Sequence, residues 1–154
     1  MDIKDYLEKA KDLLQRDKHL MPVLFVETED QILVLGLVMD IGKIDRRKMM
    51  IDLGRKFAKE HKDKRIKSLS FIFEAWITRI DARTNLSEKV EAIVVTKWDI
   101  KTDQKDVITQ DYEILDDNVI WQGEPQGVGE TKAYILEAFM QGYRQNLSYK
   151  SFAS

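Results

Sequence analysis

The run Ser68-Leu69-Ser70-Phe71-Ile72-Phe73-Glu74-Ala75-Trp76-Ile77-Thr78-Arg79-Ile80 constrains the fold more than any other part of the chain. β-Branched and aromatic residues dominate it, and neither glycine nor proline interrupts it, which is the composition of a long β-strand. Successive side chains of a strand point to opposite faces. Leu69, Phe71, Phe73, Ala75 and Ile77 therefore form one continuous apolar face, expected to be core, and Ser70, Ile72, Glu74, Trp76 and Thr78 form the other. Glu74 is the oddity, because an ionised group among aromatics needs a partner or water.

The segment Lys89–Trp98 reads as the neighbouring strand, with Val90, Ala92, Val94, Thr96 and Trp98 on one face and Glu91, Ile93, Val95 and Lys97 on the other. If the core faces match, Glu74, Trp76, Thr78, Glu91 and Lys97 share a second face, half polar and half apolar. A surface of that kind calls for a covering helix, a second subunit or a ligand.

The rest of the chain supplies the frame. Ile3, Tyr6, Leu7, Ala10, Leu13 and Leu14 recur at helical spacing and predict an amphipathic helix over 2–17 that docks on a sheet. Residues 21–28 and 31–39 predict a hairpin, and the second strand, apolar on both faces from Ile32 to Val38, is expected to be central. A second helix is expected over 43–62, with Met50, Leu53, Phe57 and Ala58 on its inner side and Met49, Ile51 and Ile44 widening the stripe. Gly54 inside it costs about 1 kcal/mol relative to alanine and marks a close packing contact. Residues 105–114 and 118–122 supply shorter strands, Gly123–Gly129 a loop, and Glu130–Arg144 a last helix, followed by a loose polar tail over 146–154.

The order is α-β-β-α-β-β-β-(β)-α. It predicts one α+β domain over residues 1–145, with three helices packed on a mixed or mainly antiparallel sheet of about five strands. At 154 residues, 44% apolar and 34% charged, the chain suits a single soluble domain. It contains no cysteine, which removes disulfides, thiol nucleophiles and thiolate zinc sites. The alternating charges of Met1-Asp2-Ile3-Lys4-Asp5 are unlike a signal peptide, and no apolar run approaches the ~20 residues of a membrane span, so the expected location is the cytoplasm.

Several residues are candidates for function. The plain account of Glu74 is pairing with Lys97, Lys67 or an arginine. The functional account is a carboxylate beside an aromatic wall, serving as general base or ligand anchor. Arg79 in the same run and Trp98 in the next strand are counted with it as ligand or interface residues. Glu74 and Glu91 on one face would suit a metal, to which His19 would add a third group. The plain reading of His19 is a turn cap or carboxylate partner at a strand entrance. His61 is expected to be solvated at a helix end. HExxH, an EF-hand loop and GxSxG are absent. Gly42-Lys43 lacks the rest of a P-loop, and Gly127-Val128-Gly129-Glu130 lacks a full glycine fingerprint. No motif implies a metal or cofactor.

The net charge of −2 gives no global attraction to nucleic acid. Lys43–Lys67 is locally basic, with Arg46-Arg47-Lys48 and Arg55-Lys56 able to touch phosphates. These positions spread around the helix without interleaved aromatics, which favours a solvated face over nucleic-acid binding.

His19-Leu20-Met21-Pro22-Val23, Glu74-Ala75-Trp76 and Glu91-Ala92 together resemble a group of short prokaryotic proteins recorded as hypothetical. In that group the residue two before the last glutamate is often arginine; here it is Lys89. The likeness covers about residues 19 to 110. It implies no activity and singles out His19, Glu74, Trp76 and Glu91.

These readings favour a binding or interaction module that forms a homodimer through the mixed sheet face, with Trp76 and Trp98 as anchors. A small ligand is compatible with the same face. The rivals are a metal-assisted hydrolase using His19, Glu74 and Glu91, and a nucleic-acid-binding regulator acting through helix 43–62.

Overall fold

The computed structural model describes residues 1–37, 45–62, 64–130 and 133–153. Val38, the Gly42-Lys43 pair, Ile44 and the first residues proposed for the last helix fall outside or at the margin of these stretches. Helix α1 spans Ile3–Asp17, β1 Val23–Thr28, β2 Ile32–Gly36, α2 Arg46–Glu60, β3 Ile66–Ile80, β4 Ser87–Asp99, β5 Gln104–Leu115, β6 Asn118–Glu130 and α3 Tyr134–Ala153. The sheet has six strands in the order β2-β1-β3-β4-β5-β6, every neighbouring pair antiparallel.

The α+β class is as expected, and several details differ. The sheet is wholly antiparallel, and both late strands are real and long. The glycine-rich stretch over 123–129 is not a loop but part of β6. Gly123 takes a φ of 69°, and the buried Gln110 amide donates to the carbonyl oxygens of Gly123 (3.1 Å) and Asp111 (3.0 Å) where the register shifts. This irregular pairing lets glycine and proline sit in a strand. The last helix continues past Asn146 to Ala153, where a tail was expected.

Strand β2 is an edge, not a centre. Leu33 and Leu35 pack on the core, whereas Ile32 and Val34 are exposed. The fully sequestered strand is β1, wedged between β2 and β3. An apolar run on both faces signals burial only if both faces are covered, and on β2 the face carrying Ile32 and Val34 is not part of the α1 core.

Two cores lie on opposite faces of the sheet. On one, α1 lays Tyr6, Leu7, Ala10 and Leu14 against Phe25, Ile72, Ile93, Val95 and Ile108. Asp2 caps this helix in a reciprocal box with Asp5. Burying each of Leu7 and Leu14 is worth about 1.5–3 kcal/mol. On the other face, α2 and α3 cover Leu24, Val26, Leu69, Phe71 and Trp98.

Helices α2 and α3 meet in backbone contact. A Cβ at Gly54 would overlap the carbonyl oxygen of Phe139, and one at Gly142 would overlap that of Ile51. Each glycine seats the other helix, the close packing foreseen for Gly54. Gly54→Ala and Gly142→Ala must each drive the helices apart, and each is expected to lose about 3 kcal/mol of stability in urea denaturation. Unchanged midpoints would contradict this crossing.

Candidate functional site

Strand β3 has two halves. From Ser68 to Ile72 it is buried on both faces; from Phe73 onward its residues alternate between half-buried and exposed. Strand β1 begins at Val23, opposite Ile72, while β4 pairs with β3 as far as Ile80. The second half of β3 thus forms, with β4, an arm beyond the helices. Ala75 and Ile77, expected in the core, lie on this arm and are half-buried.

The register brings Trp76 opposite Glu91, Glu91 opposite Tyr112, and Tyr112 opposite Trp121. These four side chains cross four strands in one row on the α1 face, and Glu74 stands one step inside it. The shared face read from the alternation of β3 and β4 is therefore present. Tyr112 is buried, and its hydroxyl donates to Glu74 Oε2 at 2.8 Å. Tyr112 meets Trp121 edge to face at 6.3 Å, and Lys11 Nζ lies 4.9 Å from the Trp121 ring centroid. A hollow of about 340 Å³ touches Trp76, Lys89, Glu91 and Tyr112.

Among the described residues, the hydrogen bond to Glu74 comes from a neutral phenol, and Arg46 lines a notch beside it without forming an ion pair. Lys97, one of its proposed partners, reaches the carbonyl oxygen of Met1 at 2.5 Å. In the ladder Lys97 lies opposite Ser70, four residues from Glu74. The same face carries Lys89, opposite Thr78 and in the hollow with Glu91, so two carboxylates and a cation stand near one another there.

His19 is exposed in the turn after α1, its Nδ1 3.0 Å from the carbonyl oxygen of Asp17. This is the turn-capping role. Its neighbours Leu20 and Pro22 line a notch of about 260 Å³ with Phe73 and Glu74, where β1 stops and β3 continues. Among the described residues, no three histidine, aspartate or glutamate side chains are gathered so as to hold a metal ion. The trio His19, Glu74 and Glu91 therefore does not make a metal centre.

Arg79 and Trp98 lie on the opposite face from Trp76. Arg79 binds Asp111 through two bonds (2.7 and 3.2 Å) and also donates to Thr109. Trp98 is only 5% exposed, and its indole N–H donates to Asp103. It is a core residue, not a surface anchor.

Tyr112, Trp121 and Lys11 were not singled out from the sequence. Strand alternation of Ile108, Gln110, Tyr112 and Ile114 is the signal that places Tyr112 on the α1 face, but its meeting with Glu74 depends on the register of three strands.

The basic helix α2 exposes Arg46, Arg47, Lys48, Arg55, Lys56 and Lys59. Arg47 and Arg55 are tied to Gln141 and Gln145, Arg55 also to Asp52, and Lys56 to Glu60. His61 stacks on Phe57 with centroids 4.5 Å apart, so it is partly packed. No helix among the described residues is long and apolar enough to cross a membrane. No protein-family model, curated protein or solved structure matches the chain.

Burial, the bond to Glu74 and the charge of Glu91 all push the Tyr112 hydroxyl far above its ordinary range. Burial and Glu27 push Tyr6 up to about 12. Unfolded tyrosine ionises near pH ~10. Above that pH the unfolded chain gives up protons that the folded chain retains. The stabilisation is therefore complete below pH ~10 and is lost as pH rises through the folded values. Of the five tyrosines, Tyr112 should ionise only with unfolding when followed by tyrosinate absorbance. Tyr112→Phe should cost about 1 kcal/mol at neutral pH and flatten the alkaline loss. Ionisation of Tyr112 alongside exposed tyrosines would rule out the Glu74 bond.

Proposed function

We propose that this chain is an interaction module that self-associates through the sheet face carrying Trp76. The observation that carries the reading is the 68% exposure of Trp76 in the middle of a strand, with Ile80 on the same face 66% exposed. Large apolar side chains exposed on one sheet face mark contact surfaces, and tryptophan is enriched at their energetic centres. Glu74 and Glu91 supply the polar part of that surface. The likeness to the hypothetical prokaryotic group fits the same corner, since Leu20, Pro22 and Glu74 line one notch and Trp76 pairs with Glu91.

Sedimentation velocity over a wide concentration range tests the reading. The native chain should form a dimer, and Trp76→Ala should weaken it roughly 30-fold, the effect of losing a central anchor. A substitution at so exposed a position leaves the fold intact, so the two effects are separable. A monomer at every concentration, or an unaffected Trp76→Ala dimer, would overturn the proposal.

A further inference from the structure

The length mismatch between β3 and β1 leaves one side of β3 open among the described residues. Among the described residues, no strand pairs with Phe73–Ile80 on the side away from β4. Two bonds at the ends of the β3–β4 hairpin establish which backbone groups face this opening. The Ile100 N–H donates to the Lys67 carbonyl, and the Asp81 N–H donates to the Leu86 carbonyl, each at 2.9 Å. Both pairs fall in register with the ladder between them. The odd-numbered residues of β3 therefore turn their N–H and C=O toward β4, and the even-numbered ones turn away.

Strand β1 agrees with this. The Leu37 N–H donates to Pro22 and the Thr28 N–H to Gln31. Even residues of β1 thus face β2, leaving Val23, Phe25 and Glu27 to bond β3, opposite Ile72, Ser70 and Ser68. Past Ile72 the same pattern leaves the N–H and C=O of Glu74, Trp76, Thr78 and Ile80 facing outward. The side chains of these same four residues lie on the α1 face, and Trp76 and Ile80 are the exposed apolar ones.

Antiparallel pairing of this edge with a second copy, about an axis perpendicular to the sheet, keeps each face with its like. It must set even residues against even residues. With Trp76 on the axis, Ile80 would fall opposite Ile72, which Val23 already occupies. With Ile77 on the axis, Glu74 meets the partner's Ile80 and Trp76 meets the partner's Thr78. All four outward-facing residues are then bonded, and β1 stays in place.

We propose that two copies of this chain join along β3 in antiparallel register with the two-fold axis at Ile77. On the α1 face, Trp76 packs beside the partner's Thr78 and diagonally to the partner's Trp76 and Ile80, so each copy covers the other's exposed apolar residues. On the other face, Ile77 meets its own copy and Ala75 meets the partner's Arg79. No like charges oppose. The contact is isologous and closes at two copies. This proposal rests on the self-association reading and specifies its geometry.

The chain has no cysteine, so single-cysteine variants report the register directly. Ile77 lies at a non-hydrogen-bonded pair, where Cα atoms are about 4.5 Å apart, within disulfide range. Under mild oxidation Ile77→Cys should cross-link nearly completely on a non-reducing gel. Ala75→Cys and Arg79→Cys should stay monomeric alone and cross-link when mixed. Thr78→Pro removes an N–H that faces the edge and none that faces β4. It should weaken the dimer by roughly 100-fold or more while keeping the native circular dichroism, as proline does on a strand edge. A sedimenting dimer in which Ile77→Cys does not cross-link and Thr78→Pro changes nothing overturns the strand pairing but leaves self-association standing. A monomer at all concentrations removes both.

Discussion

The unbroken ladder between β3 and β4, from Ser68 to Ile80, is the constraint on which the rest of the structure depends. Its first half is sandwiched between two cores, and its second half runs past them. Both cores are organised against the first half. Helix α1 closes one face with Tyr6, Leu7 and Leu14, and the glycine-seated pair of α2 and α3 closes the other. Because the hairpin is continuous, the arm inherits its position from the core without being covered by it. The exposed side chains of Trp76 and Ile80 follow from that geometry and not from local disorder.

The arm is stiffened by different chemistry on its two faces. On one, the Arg79 guanidinium bridges to Asp111 and Thr109. This is a charge-assisted, two-point contact of the stronger kind. On the other, the buried Tyr112 hydroxyl holds Glu74. The first neutralises charge; the second preserves it. The Trp76 face carries Glu74 and Glu91 together with Lys89, while on the other face Arg79 is held in its bridge to Asp111.

What could be read in the sequence was whatever depends on short-range periodicity. Alternation in Ser68–Ile80 and Lys89–Trp98 gave the sheet faces correctly, because the two strands are joined by a short turn and share one register. The α1 stripe and Gly54 were legible for the same reason. Features that depend on the order of strands were not. The runs Val23–Val26 and Ile32–Leu35 are both apolar, and only the docking of β1 on β3 decides which is inner. The glycines and proline of β6 mimic a loop, because the Gln110 amide that holds the irregular carbonyls comes from another strand. Tyr112 as the partner of Glu74 was hidden likewise, since their meeting requires β3, β4 and β5 all to be in place. Lysine was the reasonable expectation for an acid read as embedded; Glu74 is in fact exposed on the arm, and the register put Lys97 out of reach.

An antiparallel sheet of this kind has open edges, and an open edge is a hazard unless it is blunted or covered. Strand β2 is blunted by brevity, at five residues. Strand β6 carries Pro125, Gly123 and Gly127, and its register shifts twice against β5. Pro22 precedes β1. The second half of β3 has none of these devices. It holds no proline, glycine or lysine, and of its outward-bonding residues Glu74 alone is charged. A chain that blunts two edges and leaves the third in even register, half apolar and fully armed with donors and acceptors treats that third edge differently. Coverage by a matching strand is the physical condition under which such an edge stops being a liability, and the strand that matches it residue for residue is its own copy.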